Sequence, residues 1–323
     1  MAEWWVEEGI GEDRAIRLDG ERIVAARVQW PGELIAGLVE DAVLVSRSAG
    51  ASRGTARFAS GEEALVDRLP PSASEGAPIR LEVTRPALGE HGRRKLARAR
   101  PTEAPPRPAL SLAERLRAEG HDVQIVREFP GGDGAELLGE AFAGEVSFSG
   151  GALQFSPTPA MLLVDIDGTL APRALALAAV APLAEALKRF DVGGAVGIDF
   201  PTLADKADRR AVDDALAGAL ADWPHERTAM NGFGFVQLVA RLDRPSLLHR
   251  AVFQRSAMAA RTLLRQAERL EGAGAIELSG HPALERQVEP FVRELARRSG
   301  REVRWRSDPG LALEAPHAHL VPR

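Results

Sequence analysis

The sequence predicts a multi-domain protein of the α/β class, and three observations support this. Short segments between residues 14 and 83 alternate apolar and polar side chains, which indicates antiparallel strands. Two apolar segments that end on aspartates lie about one helix length apart, between residues 161 and 199. The last fifty residues follow a strand, helix, strand, strand order that indicates a small α/β unit.

Composition narrows the class of protein. The 323 residues exceed one ordinary core, so two or three domains are expected, and a hydrophobic content of 45% is typical of globular chains. The absence of cysteine excludes a disulfide framework and any Cys-ligated zinc or iron-sulfur site. No apolar run has the length of a signal peptide or a membrane span, so we expect a cytoplasmic protein without a membrane partner. The net charge of −5 argues against general nucleic-acid binding, although local clusters matter more.

The N-terminal strands predict a small barrel of the OB type. Turn residues at Asp19-Gly20 and Pro31-Gly32 separate the first apolar segments. The predicted strands cover residues 15–18, 22–28, 34–39, 42–45, 54–58, 63–66 and 79–83.

Seven cations follow or overlap the last of these strands: Arg85, Arg93, Arg94, Lys95, Arg98, Arg100 and Arg107. Beside a barrel they would offer a groove that follows a nucleic-acid backbone. The alternative is a solvated charge run without a ligand.

The middle of the chain contains a linker and several short elements. Residues 101–108 are Pro-rich and predict a stiff connector. Ser111 and Glu114 form a capping-box pattern that begins a helix, and Gly120 ends it. A strand at 122–126, a helix at 136–142 and a hairpin at 144–155 that turns at Gly150-Gly151 follow.

Two predicted strand ends carry the candidate chemistry. Met161 begins an apolar run that reaches Asp165 and Asp167, and a second run from Gly193 reaches Asp199. The Ala/Leu-rich segment 172–189 between them predicts a crossover helix, kinked or started at Pro182, which would place Asp165 beside Asp199. Two neighbouring carboxylates repel unless a cation lies between them, and oxygen ligands favour Mg²⁺ or Mn²⁺.

The C-terminal part predicts alternating helices and strands. The segments are a helix at 205–222 with solvated Asp213-Asp214, a strand at 233–241, a helix at 256–270, a strand at 275–278, a helix at 282–298, and strands at 303–306 and 311–314. His317 and His319 would share a strand face, either as a metal pair or as a structural chain end.

One family resemblance concerns the central motif alone. Asp165-Ile-Asp167-Gly168-Thr169-Leu170 resembles the first motif of haloacid-dehalogenase-like phosphatases, whose first Asp is the nucleophile and whose second is the acid/base. That fold also needs a Ser or Thr at a second strand end, where this chain has Asp199. Lys206 and the acidic pair at 213–214 fall within one helix, where they would not surround the site.

A second resemblance covers nearly the whole chain. Asp165-Ile-Asp167, the intervening helix and Gly193-Gly-Ala-Val-Gly-Ile-Asp199-Phe are similar to the signature of the ribonuclease E/G family. Flanking segments agree in order: the Ser-Gly-Gly at 149–151, the Phe-Gly at 233–234 and the Pro-Ser-Leu at 245–247. The segments 82–93 and 314–319 are similar to the ends of that family's OB-fold and small domains.

The resemblance implies a domain plan. Residues 1–35 and 109–148 would be the remnant of an RNase-H-like subdomain, 36–104 an OB-fold-like RNA-binding domain, 149–250 a DNase-I-like catalytic domain and 251–323 a small α/β domain. The chain departs from the family in lacking the 5′-monophosphate sensor domain, with the linker 101–108 in its place, and the cysteines of the zinc link. On our alignment the base-stacking aromatics of the barrel are replaced by Arg57 and Val66.

The resemblance also implies an activity, the Mg²⁺-dependent endonucleolytic hydrolysis of single-stranded RNA, with Mn²⁺ as a second candidate ion and no zinc. Asp165 and Asp199 would hold the metal, and Asp167, where the family has Asn, would position the attacking water. The implied RNA-binding residues are His91, Arg93, Arg94, Lys95 and Arg227. A homodimer through the C-terminal domain is compatible with the resemblance. The alternatives are a phosphatase, or an RNA-binding protein with an inactive site.

Overall fold

The computed structural model describes residues 3–48, 50–90, 93–130 and 134–322, and only the backbone of Arg93. Helices and strands are mixed in these residues, and five of the strands close into a barrel. The mixed α/β class and the small N-terminal barrel are therefore confirmed.

The elements are numbered along the chain. The strands are β1 (Trp4–Gly9), β2 (Glu12–Asp19), β3 (Arg22–Gln29), β4 (Val39–Arg47), β5 (Arg53–Arg57), β6 (Glu63–Asp67), β7 (Pro78–Arg85), β8 (Leu88–Glu90), β9 (Arg93–Lys95), β10 (Ala97–Pro101), β11 (Val123–Ile125), β12 (Glu145–Phe148), β13 (Gly151–Pro157), β14 (Leu162–Gly168), β15 (Gly194–Asp199), β16 (His225–Arg227), β17 (Phe235–Ala240), β18 (Ala275–Gly280), β19 (Val303–Ser307) and β20 (His317–Val321). The helices are α1 (Leu112–Ala118), α2 (Ala135–Ala143), α3 (Pro172–Arg189), α4 (Lys206–Ala219), α5 (Leu247–Phe253), α6 (Arg255–Glu268), α7 (Glu285–Val288) and α8 (Val292–Ser299).

A four-stranded sheet in the order β11-β1-β2-β3 begins the fold. Helix α1 covers one of its faces, with Leu112 and Leu116 packed in a cluster with Trp4 and Val6. The predicted capping box is present, because Ser111 accepts the Glu114 N–H at 3.2 Å and the Glu114 carboxylate accepts the Ser111 N–H at 2.8 Å. This local pattern correctly predicted where the helix begins.

The barrel, in the order β10-β6-β5-β4-β7, begins later in the chain than the run of alternating residues. The segments 15–18 and 22–28 lie in β2 and β3, which belong to the four-stranded sheet and not to the barrel. Residues 34–38 lie outside any strand and contain turns. The alternating pattern predicted strands, but only long-range pairing decides which sheet a strand joins.

The Pro-rich segment is part of the fold and not a free linker. Pro101 ends β10, and Arg107 forms an antiparallel bridge with Val39 at the start of β4. The two residues exchange backbone hydrogen bonds of 3.0 and 2.9 Å. The points where the chain enters and leaves the barrel therefore lie side by side.

The central sheet has six strands in the order β12-β13-β14-β15-β17-β16, of which β14 and β15 are parallel. Helix α3 connects these two as predicted and continues through Pro182. Leu183 of α3 belongs to one core cluster with Val164 and Ile198 of this sheet and Ile16 of the four-stranded sheet. The helix therefore lies between the two sheets, and the face of the central sheet that carries Asp165 is left open.

The C-terminal unit is a three-stranded sheet in the order β19-β18-β20, packed on α6. The predicted helix at 282–298 is divided into α7, α8 and two 3-10 turns, one of which contains Pro290. The predicted strand at 311–314 is wrong: Leu311 and Ala315 donate to turn carbonyls, and the last strand is β20. None of the described helices has both the length and the apolar character needed to cross a bilayer.

Candidate active site

Asp165 and Asp199 are paired residues on neighbouring parallel strands. In β14 the side chains alternate, with Val164 and Ile166 buried and Asp165 exposed, and Asp199 is the exposed last residue of β15. Adjacent strands lie about 5 Å apart, so the two carboxylates are neighbours on the open face of the central sheet. The structure thus brings together the two residues for which the sequence predicted this arrangement.

Two further polar residues lie beside Asp165 and Asp199 on the same face, and the four residues form a row across the sheet. Asp167 lies two residues beyond Asp165 in the same strand and is exposed on the same face. Gln154 of β13 lies opposite Asp165 on the other side and is also exposed. Gln154 has no signal in the sequence, because only the pairing of β13 with β14 places it here.

The carboxylates perturb one another. The pKa of Asp165 is raised, first by partial burial and then by the negative charges of Asp167 and Asp199. Neighbouring like charges disfavour ionisation, and a cation between them would remove that cost.

The side chains around the carboxylate pair supply few metal ligands. Among the residues that the structure describes, no three Asp, Glu or His side chains converge closely enough to form a metal cluster, and this includes His317 and His319, whose rings stack 5.6 Å apart. Zinc sites usually need at least three protein ligands, whereas Mg²⁺ keeps several waters and uses one or two carboxylates. Two exposed carboxylates on neighbouring strands, Asp165 and Asp199, are the residues here that could hold a hard cation of the Mg²⁺ or Mn²⁺ type.

The residues that neighbour the carboxylates on this face are apolar. Gly197, two residues before Asp199, has no side chain, and a Cβ built there would lie 2.5 Å from the Phe235 ring and 3.1 Å from Leu163. Phe235 itself is opposite Asp199 in β17. Apolar side chains thus lie close beside the carboxylates on this face of the sheet.

A basic groove of about 850 Å³ lies on the outer side of the barrel. Five cations line it together with the single carboxylate of Asp67: Arg68, Arg85, Lys95, Arg98 and Arg100. Arg85 donates to the Leu96 carbonyl at 2.8 Å, while its buried Nη1 has no hydrogen-bond partner in the described part of the chain. Burial and the charge of Arg98 lower the pKa of Arg85, so an anion in the groove would be favourable.

A second, smaller cavity of about 120 Å³ connects this groove with the central sheet. Lys95 and Leu88 line both cavities, and the smaller one is also lined by Met161 and Ala195. Met161 and Ala195 stand four residues before Asp165 and Asp199, which is about 13 Å along the strands. The two cavities therefore share part of their lining, and the smaller one lies at the opposite end of the two strands that carry the carboxylates.

Lys95 is a predicted RNA-binding residue that lines the groove, and the other four are His91, Arg93, Arg94 and Arg227. His91 lies outside the described residues, and Arg93 begins β9, which pairs with β8. Arg94 is paired with Glu62 at 2.8 Å and stands outside the groove lining. Arg227 donates to Asp213 of α4 at 3.0 Å, so Asp213 is not the solvated surface residue that the sequence predicted.

The structure separates the two residues aligned with the family's stacking aromatics. Arg57 is on the outside of the barrel, paired with Glu63 at 2.8 Å. Val66 is fully buried inside the barrel, so its side chain is not available to stack on a base. Leu65, its neighbour in β6, is the residue that faces the basic groove.

Comparison with known proteins assigns no family. No family model matches the chain, and no curated protein matches it significantly. The resemblance to the ribonuclease E/G family therefore stays a prediction carried by the residues described above.

Proposed function

We propose that this chain is a metal-dependent endoribonuclease that hydrolyses phosphodiester bonds of single-stranded RNA. The observation that best supports the proposal is the pairing of Asp165 with Asp199 on an open sheet face, where a cation would offset their repulsion. In this proposal the barrel is an OB-type RNA-binding domain and the central sheet belongs to a DNase-I-like catalytic domain. The preference for RNA over DNA rests on the motif resemblance.

The residues of the site then have distinct tasks. Asp165 and Asp199 would hold the cation, which when bound would supply charge neutralisation at the phosphate and lower the pKa of a water. Asp167, on the same face, orients the attacking water and accepts its proton as the water oxygen bonds to phosphorus. The bond to the leaving ribose oxygen breaks, and that oxygen takes a proton from solvent. Gln154, opposite Asp165, offers an amide donor to the substrate.

The basic groove holds the RNA on the barrel side. Three of its cations are paired with carboxylates, Arg98 with Asp67 at 2.9 Å, Arg100 with Glu82 at 2.8 Å and Lys95 with Glu90 at 3.5 Å. Arg85, whose buried Nη1 has no hydrogen-bond partner among the described residues, is the cation that best fits a phosphate contact, and such contacts position a strand without reading its sequence. In this proposal the strand passes Lys95 and Met161 on its way from the groove to the carboxylates.

The test is a cleavage assay on an unstructured RNA with the metal varied. Cleavage is expected with Mg²⁺ and not with EDTA, and Asp199→Asn should abolish it because the cation loses one of its two ligands. Asp214→Asn is the matched control, since Asp214 is a mostly exposed carboxylate of α4 outside this row. Cleavage that continues in EDTA would contradict the proposal.

Because the resemblance leaves this chain without a 5′-monophosphate sensor domain, we have a second expectation about the substrate. Substrates with a 5′-hydroxyl and a 5′-monophosphate should be cleaved at similar rates, and a strong preference for the monophosphate would argue against this account. Turnover of p-nitrophenyl phosphate that is lost in Asp165→Asn would instead identify a phosphatase. Binding of RNA without cleavage in Mg²⁺ or Mn²⁺ would identify an RNA-binding protein with an inactive site.

A further inference from the structure

Phe233 is an exposed aromatic side chain beside the candidate active site. Its side chain is 82% exposed, and it is the only aromatic among the large hydrophobic residues found exposed in the described ranges. The chain has 11 Phe, 5 Trp and no Tyr, so an aromatic ring in solvent is unusual for this sequence.

The loop that carries Phe233 is held rigidly. The Asn231 side-chain oxygen accepts the backbone N–H groups of Phe233 at 2.9 Å and Phe235 at 3.1 Å. Gly234 has φ +92°, and a Cβ there would lie 2.3 Å from the Phe200 carbonyl oxygen. The loop therefore needs glycine at 234 and packs closely on the backbone that follows Asp199.

Its position is defined by hydrogen bonds to the end of β15. Phe200 donates its N–H to the Gly234 carbonyl at 3.2 Å, and the Thr202 hydroxyl donates to the Phe233 carbonyl at 3.5 Å. Asp199 lies directly opposite Phe235, two residues after Phe233. The exposed ring is thus presented within a few residues of the carboxylate pair, on the side of the site away from the basic groove.

We propose that Phe233 is a stacking platform for a base of single-stranded RNA next to the scissile phosphate, an inference that rests on the function proposed above. Every base offers an aromatic face, so such a contact is tolerant of sequence. It would hold the strand on the far side of the carboxylates while the groove holds it on the near side.

The experiment measures binding without cleavage. A fluorescein-labelled oligouridylate of about 12 nucleotides, within the site sizes of single-strand binders, is titrated in EDTA and followed by fluorescence anisotropy. Phe233→Ala should weaken binding by roughly 5- to 100-fold, and Phe233→Trp should retain it. Val252→Ala, which truncates another partly exposed apolar side chain, is the control and should bind like the parent.

A series of oligonucleotides with one abasic nucleotide at each position locates the contact. One position should weaken binding to the parent protein, and the same position should cause no further loss in Phe233→Ala. Parent-like binding by Phe233→Ala would overturn the inference while leaving the proposed function intact. Unchanged RNA binding together with loss of a dimer on size-exclusion chromatography would show that the ring contacts a second copy instead. Failure of the parent protein to bind any of the RNAs would count against both proposals.

Discussion

Asp13 in β2 lies directly opposite Glu8 in β1, so two carboxylates face each other across an antiparallel strand pair. Burial, and next the charge of Glu8, raise the pKa of Asp13 to about 6. Like charges at facing positions of a sheet are destabilising. Asp13 is therefore a residue whose ionisation costs folding free energy.

We expect Asp13→Asn to stabilise the protein near neutral pH. The pKa of Asp13 is about 6 in the folded chain and 3.8 at its ordinary value, so the folded chain binds more protons than the unfolded chain between these two pH values. The free energy of unfolding therefore decreases as the pH rises from 3.8 through about 6. The neutral amide avoids this loss, and the gain should be about 1 kcal/mol after allowance for solvent screening.

Urea unfolding at about pH 7.5 and about pH 4 checks this prediction, since the gain should be present at the first pH and absent at the second. Asp19→Asn, at the exposed end of the same strand, is the control. An equal gain at both pH values would show that ionisation is not the cause.

Arg250 is expected to be essential for stability. It is 2% exposed, pairs with Glu33 at 3.0 Å and lies over the Trp30 ring at 3.8 Å. Arg250→Met keeps much of the apolar stem but leaves Glu33 without its cation, which should cost about 3–5 kcal/mol.

The matched variant is Arg210→Met in α4, where the guanidinium is 83% exposed and only 3.9 Å from Asp214. It should change the free energy of unfolding by less than about 1 kcal/mol. Similar denaturant midpoints for the two variants would refute the role assigned to Arg250.

Arg85 should contribute one phosphate contact to RNA binding. Arg85→Met keeps the side-chain stem while removing the charge from the basic groove. The logarithm of RNA affinity should then depend less steeply on the logarithm of salt concentration, with a slope smaller by about 0.7. The control is Arg210→Met, which removes one positive charge from α4, away from the groove, and should leave the slope unchanged. Equal effects of the two variants would indicate that the net charge of the protein matters and not the position of Arg85.

Asp167→Asn should move the acid limb of the cleavage profile. Asp167 is one of the charges that raise the pKa of Asp165, so the amide should allow Asp165 to ionise at lower pH. Because the amide cannot accept the proton of the attacking water, kcat/KM should fall at every pH, and the acid limb of the remaining activity should shift to lower pH with Mg²⁺ still required. An unchanged acid limb would show that the pKa of Asp165 does not control the profile.

Local patterns predicted the elements that depend on neighbouring residues. The capping box of α1, the hairpin at Gly150 and the crossover through α3 all follow from short sequence signals. The pairing of Asp165 with Asp199 could be predicted as well, because two strands joined by one crossover helix lie parallel and adjacent.

Features that depend on distant partners could not be predicted. The segment Trp4–Gly9 has no clear alternation, yet it becomes a strand whose buried Glu7 pairs with Arg265 at 3.2 Å and Arg269 at 2.7 Å. Arg227 and Asp213 likewise meet only because β16 and α4 pack together. The basic groove gathers Arg68 with Arg98, which are on different strands or turns of a barrel closed by long-range pairing.

The bridge between Val39 and Arg107 has a consequence for protein engineering, because it brings the two ends of the barrel segment together. A segment whose two ends are hydrogen-bonded to each other does not hold the parts of the chain before and after it apart. A short turn joining these two points should therefore let the four-stranded and six-stranded sheets assemble without the barrel, and the excised segment should be replaceable by another module whose ends meet. Replacing the barrel in this way should change the ligand that the protein binds there, while Asp165, Asp167 and Asp199 keep their positions in the six-stranded sheet.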